Sequence, residues 1–281
     1  MIKNRLNDLA KVTERGEGII SCSLAPYGNH DYTELLHDVD FLKKCGLNQL
    51  LLLCYEPVLL KLAEIAPQEM YLLKRGKKEG AYENMFFDNL KAIREVHPDL
   101  PVIATPMVGD VLCYGTDRFF KMCLEYGVDG LDVAHYFAID DPIDYRRRTM
   151  EAGIHFIPAI DAIAMDINNP KHLKLIEETT KIAEDGELLF VGGIPGNADK
   201  LDGNYYTPFI DFIRKVQKEN NMHARIIAIG GMNTVEDAVQ MVQVAGCDGI
   251  HFSSAFMKRL LAGKYDEIKT WLGEIKEAIK K

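Results

Sequence analysis

Two pairs of small residues follow two apolar segments near the C-terminal end of the chain. One pair is Gly230-Gly231 and the other is Ser253-Ser254. A helix is predicted after each pair, so backbone N–H groups and the positive end of a helix dipole would meet at each turn. Such an arrangement predicts a phosphate-binding site. Glycine and serine are also ordinary turn and cap residues, so a purely structural role stays open at this point.

Four carboxylates stand within or just after apolar segments of strand length, and we treat them as candidate catalytic residues: Glu56, Asp110, Asp132 and Asp161. Asp132 interrupts an otherwise apolar segment, where an unpaired buried carboxylate would be costly. Carboxylates that meet with little solvation raise one another's pKa, so one of them can act as an acid near neutral pH. Structural alternatives remain for each. Asp132 would be held by a hydrogen bond and Asp161 would cap a helix. Asp110 would lie in a turn and Glu56 in a solvated loop.

Histidines and cysteines supply the other reactive groups. His135 follows the segment that contains Asp132, and it is either a further acid–base group or a histidine satisfied in the core. His155 and His251 fall early or midway in their segments, and no HxH or HExxH spacing occurs. The six cysteines form no CxxC motif and read as reduced core residues. We therefore expect neither a metal nor a cofactor.

The elements that must position these residues alternate along the chain. Eight apolar segments of strand length are predicted, at residues 18–24, 50–54, 101–105, 130–134, 154–160, 188–192, 225–229 and 249–252. Segments with helical periodicity separate them, the last of these at 235–245, and further helices are predicted at about 4–13 and about 266–280. Near-continuous apolar strands between amphipathic helices are typical of a parallel sheet that helices cover.

A repeated unit restricts the folds that fit the sequence. Four predicted helices run into a glycine and then into a strand, at Gly46, Gly127, Gly153 and Gly246. Glycine just past a helix end adopts the left-handed conformation that terminates the helix. Such repetition over 281 residues predicts an α/β protein with a single-domain (β/α)8 TIM barrel, which commonly needs about 250 residues. The competing fold is an open doubly wound sheet, but residues 23–28 carry no glycine-rich fingerprint.

The predicted barrel places the candidate residues at the same end of the fold. Active sites of this fold lie at the carboxyl ends of the strands, and phosphate binds at the loops after strands seven and eight. The glycine pair and the serine pair fall at those two loops in chain order. The inward side chains of Asp132 and Asp161, with Glu56 as a possible third, are then expected to face one another across the mouth of the barrel.

Charge and hydropathy exclude several other classes. The net charge is −9 and no long basic run occurs, which argues against nucleic acid as a partner. No apolar run approaches the roughly 20 residues of a membrane span. The N-terminal residues lack the apolar core of a signal peptide. We expect a cytoplasmic protein that binds a phosphorylated small molecule.

Three stretches resemble the tryptophan synthase alpha subunit family. Residues 101–134 are similar to its third and fourth strands, residues 189–196 to its sixth strand and phosphate loop, and residues 231–255 to its C-terminal phosphate-binding end. The resemblance covers roughly residues 18–262 and implies a barrel that cleaves indole-3-glycerol phosphate by a retro-aldol reaction without metal or cofactor. It also implies phosphate contacts from Gly193 and Gly196, and a beta-type subunit or a second copy as protein partner.

The chain departs from the family at the reacting groups. The family places a glutamate in strand two and an aspartate in the next loop, whereas this sequence has Leu51 and then Tyr55-Glu56-Pro57. The family's aromatic residue in strand six is Phe190 here, without a hydroxyl. Leucine cannot transfer a proton, so we expect slow indole release and relocated acid–base residues. An aldolase or isomerase of another phosphate ester, or a non-catalytic phosphate-ligand binder, is the alternative.

Overall fold

The structure is a computed structural model, and it describes residues 5–25, 32–54, 84–106, 108–132, 144–162, 164–186, 188–192 and 201–281. Its contacts divide the chain into two compact units. Unit 1 comprises Met1–Arg5 and Ser23–His155, and unit 2 comprises Leu6–Cys22 and Phe156–Lys281. Each unit is described by itself. The prediction of one domain over the whole chain stays a prediction.

Nine strands and eleven α-helices occur among the described residues. The strands are β1 (Ile19–Leu24), β2 (Gln49–Cys54), β3 (Val102–Pro106), β4 (Gly130–Asp132), β5 (His155–Ile157), β6 (Ala159–Asp161), β7 (Leu188–Gly192), β8 (Arg225–Ile229) and β9 (Gly249–Phe252). The helices are α1 (Asp8–Glu14), α2 (Thr33–Lys44), α3 (Met85–Val96), α4 (Val108–Tyr114), α5 (Thr116–Glu125), α6 (Tyr145–Glu151), α7 (Pro170–Gly186), α8 (Gly203–Asn220), α9 (Val235–Val239), α10 (Ser254–Leu261) and α11 (Tyr265–Ala278). Strands and helices alternate as predicted.

In unit 1 the strands β2, β3 and β4 form a parallel ladder. Leu50 of β2 lies opposite Val102 of β3, and Ile103 lies opposite Gly130 of β4. These strands are rich in branched apolar residues and are almost fully buried, as expected for a parallel sheet covered by helices. Helix α3 packs on β2, so one face of this ladder is covered by helix.

In unit 2 the parallel strands follow the order β1, β9, β8, β7, β6. Helix α11 covers one face of this sheet, where the ring of Phe252 in β9 lies 4.6 Å from that of Trp271, centroid to centroid. Because successive side chains of a strand point to opposite faces, the neighbouring residue His251 is directed away from α11. The core of unit 2 lies between this sheet and its helices.

Three elements differ from the sequence prediction. The fifth predicted strand is two short strands, β5 and β6, since Pro158 between them has no N–H to donate to a ladder. The helix predicted at 235–245 is α-helical only to Val239 and continues as a π-helical turn over Gln240–Val244. Helix α4 was not predicted, because its residues directly follow a strand and were interpreted as a turn.

Candidate active site

Asp132 is the last residue of β4, and its carboxylate lies beside Thr105 of β3. The β3–β4 register, Ala104 opposite Leu131, brings these two side chains to one face of the ladder in unit 1. The Thr105 hydroxyl donates to Oδ2 of Asp132 across 3.5 Å. Asp129, which precedes β4, pairs with Arg94 of α3. Side chains alternate along an extended chain, so Asp132 is directed away from α3.

The environment of Asp132 favours the protonated form of its carboxyl group. Its side chain belongs to the buried core and is only 6% exposed. Burial raises the pKa of Asp132 to about 7, and the hydrogen bond from Thr105 lowers it only in part. Desolvation disfavours the charged carboxylate, which is the usual way in which proteins tune a carboxyl group into a general acid.

Leu51 lies on the same face of the unit 1 ladder as Asp132. It stands opposite Ile103, whereas Leu53 stands opposite Thr105, so Leu51 is two residues further from the carboxyl end of its strand. The side chain is buried at 5% exposure. This position therefore holds hydrocarbon and no proton donor or acceptor.

Asp110 lies in the first turn of α4, not in a turn between elements. It is fully buried. A carboxylate in the first turn of a helix interacts favourably with the helix dipole, so the position is consistent with a structural role for Asp110.

Five residues of unit 2 form one row across its sheet: Ser21, His251, Ile229, Gly192 and Asp161. We call it the serine–histidine row. The last three end their strands, whereas Ser21 and His251 lie within theirs. Residues in register on neighbouring parallel strands project from the same face. Since His251 is directed away from α11, the whole row lies on the face opposite that helix.

Ser21 and His251 form a buried hydrogen-bonded pair within this row. Ser21 Oγ and His251 Nδ1 are 2.8 Å apart. The two residues are 0% and 6% exposed, and the ring of Phe190 lies 6.3 Å from the imidazole, centroid to centroid. Burial lowers the pKa of His251 to about 4. The imidazole is therefore neutral at pH 7, with one donor and one acceptor nitrogen.

Asp161 ends β6 at the other end of the row, and it is exposed. Its Oδ1 accepts a hydrogen bond of 3.4 Å from the Ala164 N–H, so it closes a turn. The next helix, α7, begins only at Pro170, so the alternative of Asp161 as a helix cap is wrong. Asp161 also acts electrostatically on Tyr206. Burial is the main cause that raises the pKa of the Tyr206 hydroxyl to about 12, and Tyr205 and Asp161 contribute less.

The predicted phosphate residues of unit 2 lie just beyond this row. Gly230 and Gly231 both have left-handed backbones, with φ of 79° and 76°, which glycine adopts without strain. Helix α10 begins at Ser254, and the Ser253 side chain makes no capping hydrogen bond to it. The Ser253 side chain therefore does not occupy the backbone N–H groups in the first turn of α10, and the positive end of the helix dipole lies at this turn.

The helix after the glycine pair is capped by its own residues. The Asp237 carboxylate accepts hydrogen bonds from the N–H groups of Asn233 at 2.9 Å and Thr234 at 2.8 Å. The Thr234 hydroxyl accepts one from the Asp237 N–H at 3.1 Å. In this capping box the three N–H groups are hydrogen-bonded within the protein, and the Asp237 carboxylate adds a negative charge at the start of α9. The N–H groups of Asn233, Thr234 and Asp237 are therefore not offered to a phosphate, and the phosphate contacts at Gly230, Gly231, Ser253 and Ser254 stay predictions.

The remaining predicted site residues lie outside the described residues: Glu56, His135, Gly193 and Gly196. Their roles, and the meeting of Glu56 with Asp132 and Asp161, stay predictions. Sequence reasoning also missed two residues, Ser21 and Thr105. The signal that could have found them is the one that marked Asp132, a polar side chain inside an otherwise apolar strand.

The described part of the chain contains no group of three or more His, Cys, Asp or Glu side chains that could hold a metal ion. Its helices include none that is long and apolar enough to cross a membrane.

Comparison with known proteins bears on fold and ancestry. No family model matches the chain. It is 27% identical over 209 residues to a tryptophan synthase alpha chain of Bacillus thuringiensis subsp. konkukian, which covers 73% of each sequence. Tryptophan synthase subunit alpha from Legionella pneumophila superposes with a TM-score of 0.71 at 16% identity, over 99% of this chain and 98% of that one. A Mycobacterium tuberculosis tryptophan synthase structure gives 0.77 at 13% identity, over 100% of both chains.

These likenesses extend over nearly the whole chain in structure and over most of it in sequence. The predicted (β/α)8 barrel is confirmed by the structural matches. The resemblance seen in the residues alone is confirmed by the sequence match. The chain is therefore similar in sequence to tryptophan synthase alpha chains and shares the barrel fold of the solved structures, with Leu51 in its second strand.

Proposed function

We propose that the chain is a carbon–carbon lyase of the tryptophan synthase alpha type that acts on a phosphorylated small molecule. The observation that carries this proposal is Asp132, a carboxyl group directed away from α3, whose burial raises its pKa to about 7. Retro-aldol cleavage needs an acid to protonate the leaving carbon and a base to accept a hydroxyl proton. A carboxyl that titrates near neutral pH can serve in either step, and the reaction needs no cofactor.

In this proposal the phosphate is held in unit 2. The backbone N–H groups of Gly231 and Ser254 donate to it, and Gly230 and Ser253 stand next to them. The dipole of α10 and two or three charge-assisted hydrogen bonds together contribute several kcal/mol. We include Gly193 and Gly196 as further phosphate contacts on the strength of the family resemblance.

The acid–base work is assigned to relocated carboxylates. Asp132 is the principal residue, and Asp161 is the second because it is exposed at a strand end. Glu56 and Asp110 complete the candidate set, although the burial of Asp110 in α4 favours a structural role for it.

A second function is favoured by Leu51. Its buried hydrocarbon occupies the face that also carries Asp132, so this face lacks a second proton carrier at that position. An aldolase or isomerase that handles a different phosphate ester, or a phosphate-ligand binder without catalysis, fits such a site. The sequence matches are to alpha chains, so a beta-type subunit or a second copy of this chain is the proposed protein partner.

The test is an assay of the purified full-length protein with indole-3-glycerol phosphate and with a panel of other phosphate esters. We expect indole release to be slow or absent, with or without a beta subunit, because Leu51 replaces one family acid and no aspartate stands at the position of the second. The loss of one such group costs about 10²–10⁴ in rate, and the loss of both should cost more. Slow but measurable indole release would support a lyase of the tryptophan synthase alpha type, whereas carbon–carbon cleavage of another phosphate ester would favour the aldolase of the second function.

Other outcomes contradict parts of the proposal. Indole release at about 1–10³ s⁻¹ would show that the relocated carboxylates perform the family reaction after all. Isomerisation of a phosphate ester, or binding without turnover, would favour the second function. If no phosphate compound binds, the phosphate site is wrong.

A further inference from the structure

The Asp132 carboxylate has fewer hydrogen-bond partners than the aspartates that hold the fold together. Asp129 and Asp248 each accept hydrogen bonds from an arginine and from a backbone N–H, at 2.6 to 2.8 Å. Among the described residues, Asp132 accepts one only, from the Thr105 hydroxyl across 3.5 Å. An ionised carboxylate offers about four acceptor sites, and its burial is costly unless they are used. A carboxylate with so few partners is poorly suited to a structural role.

We propose that Thr105 is a positioning residue, which keeps Oδ2 of Asp132 as a hydrogen-bond acceptor so that Oδ1 carries the exchangeable proton. The use of that proton rests on the proposed function, because it takes Asp132 as the principal acid–base residue. The proposal adds the oxygen atom at which the proton is exchanged and the residue that selects this atom.

Strand register fixes the Thr105 hydroxyl beside one partner. The β3–β4 register places Thr105 next to Asp132 on one face of the unit 1 ladder. On the other side of Thr105 lies Leu53 of β2, whose side chain has no hydrogen-bond acceptor. Thr105 is buried at 8% exposure, and its branched Cβ restricts the side chain to few rotamers. The hydroxyl therefore donates to the Asp132 carboxylate.

The direction of this hydrogen bond determines which oxygen is protonated. When Oδ2 accepts from Thr105, the proton of the acid is carried by Oδ1, which accepts no hydrogen bond among the described residues. In the reverse arrangement Oδ2 would carry the proton and donate it to the Thr105 oxygen. A donor to the carboxylate lowers its pKa, whereas an acceptor from the neutral acid raises it. The two arrangements therefore predict opposite effects when the hydroxyl is removed.

The electrostatic surroundings of Asp132 make this effect measurable. Burial raises the pKa of Asp132, and the Thr105 hydrogen bond lowers it to a smaller extent. No charged group in the described part of the chain adds to these two influences, neither Arg94 of α3, Asp110 of α4 nor Asp129 before β4. A change in the ionisation of Asp132 in a Thr105 variant can therefore be attributed to the lost hydrogen bond.

The experiment is a pH titration of the full chain by nuclear magnetic resonance, with 13C-labelled aspartate carboxyl groups and with Asp132→Asn to identify the Asp132 signal. Thr105→Val keeps the shape and removes the hydroxyl. Because the hydrogen bond is long, we expect the titration midpoint of Asp132 to rise by about 0.5 to 1 pH unit, a threefold to tenfold change in the ionisation equilibrium. Thr105→Ser keeps a hydroxyl and should restore most of the parent midpoint.

The matched control is Thr149→Val, which removes another buried threonine hydroxyl in unit 1, one that donates to the Tyr145 carbonyl. It should leave the Asp132 midpoint unchanged. Circular dichroism checks the fold of each variant, and Thr105→Ala replaces Thr105→Val if the latter does not fold. An unchanged midpoint in the variant without the hydroxyl overturns the proposal, and a lower midpoint would place the proton on Oδ2.

The titration needs no substrate, so its result is independent of the proposed function. If no phosphate ester is cleaved, the lyase proposal fails and the midpoint still decides the role of Thr105. If an ester is cleaved, Thr105→Val should move the pH profile of kcat in the same direction as the midpoint and leave KM within about twofold. A uniform loss of kcat without a shift of the pH profile would indicate a structural role for Thr105 and would contradict the proposal.

Discussion

At the scale of single residues, the described site differs from an ordinary barrel core by a few polar side chains. Asp132 is set beside Thr105, and Ser21 beside His251, each pair by strand register. Each pair contains one titratable group, and burial shifts the pKa of that group in the direction that favours its uncharged form. The pKa of Asp132 rises to about 7 and that of His251 falls to about 4. At pH 7 the His251 imidazole is therefore neutral, whereas Asp132 is only partly ionised.

We predict that Asp132→Asn alters the pH dependence of stability. The folded pKa of Asp132, about 7, lies above the ordinary value of 3.8, so folding favours its protonated form. This contribution is fully present below pH 3.8 and is lost as pH rises through about 7, up to about 4 kcal/mol in total. Urea unfolding at pH 4 and pH 8 should show that loss in the parent and not in the variant.

The control for this prediction is Asp117→Asn, which changes an aspartate whose side chain is 93% exposed. It should leave the pH profile of the parent intact. Equal pH profiles for the parent and for Asp132→Asn would mean that the buried carboxyl has an ordinary pKa. Once a substrate is known, full activity of Asp132→Asn would assign Asp132 a structural role.

Ser254→Asp is predicted to weaken the binding of a phosphorylated ligand by about tenfold to a hundredfold. The variant places a like charge at the start of α10, where the helix dipole favours an anion. Ser254→Ala is the matched control and should bind nearly as the parent does, because the proposed contact is the backbone N–H. Calorimetry with the same ligand measures all three. If Ser254→Asp binds the ligand as tightly as the parent does, the phosphate binds elsewhere in the protein.

At the scale of elements, the repeated helix–glycine–strand unit contains a clamp that the glycine pattern alone does not reveal. Asp129 accepts hydrogen bonds from Arg94 of α3 at 2.6 Å and from the Val102 N–H at 2.8 Å. Asp248 repeats this in unit 2, with Arg214 of α8 at 2.6 Å and the Ile226 N–H at 2.8 Å.

Each clamp ties a helix to the strand that follows it and to the start of the next strand along the chain, α3 to β3 and β4, and α8 to β8 and β9. The arginine also donates to the carbonyl of the repeat glycine, Gly127 in unit 1 and Gly246 in unit 2. Burial opposes ionisation of Asp248, but Arg214, the Ile226 N–H and Lys281 outweigh it and lower its pKa. Aspartates that follow a repeat glycine are therefore structural, whereas Asp132, at the other end of its strand, is not part of a clamp.

Close packing of β9 on β1 leads to a prediction about glycine. A Cβ at Gly249 would lie 2.4 Å from the Ile19 carbonyl oxygen, so Gly249→Ala should destabilise the protein by about 1–3 kcal/mol or more. A Cβ at Gly273, inside α11, would meet nothing within 4 Å. Gly273→Ala should therefore stabilise by about 0.5–1 kcal/mol, since alanine favours the helix. Urea denaturation measures the free energy of unfolding of both variants. Equal changes in stability for the two variants would contradict the described pairing of β9 with β1.

At the scale of the whole molecule, the two units are not consecutive in sequence. The chain passes from one to the other at residues 5–6, 22–23 and 155–156, and the last two points fall inside β1 and β5. The prediction of a single domain rests on the length of the chain and on its repeated helix–glycine–strand unit.

We predict one cooperative unfolding transition. The chain has a single tryptophan, Trp271, which is buried in α11 of unit 2 and reports on that unit by fluorescence. Far-ultraviolet circular dichroism reports on both units. If the chain is a single domain, the two thermal transitions coincide. A difference of several degrees between the two midpoints would show that the units unfold separately, and the single-domain prediction would be wrong.

Much of the fold follows from local pattern. The uninterrupted apolar segments of β7, β8 and β9 have the predicted bounds, because residues buried on both faces leave no ambiguity of period. Helix α4 was missed because it is short and follows β3 directly, so nothing in its apolar spacing separates it from a turn. The break at Pro158 was present in the sequence, but the apolar residues on both sides of it predicted one strand.

The sequence by itself determined the alternation of strands and helices, the glycine and serine pairs after β8 and β9, and Asp132 as an isolated carboxylate. Those are properties of neighbours along the chain. Only the tertiary structure decided that Ser21 meets His251 across 230 positions, and that Asp237 closes the end of α9. The reason is physical: strand register and burial determine which side chains lose water and which partners they find, and both arise from contacts between residues far apart in sequence.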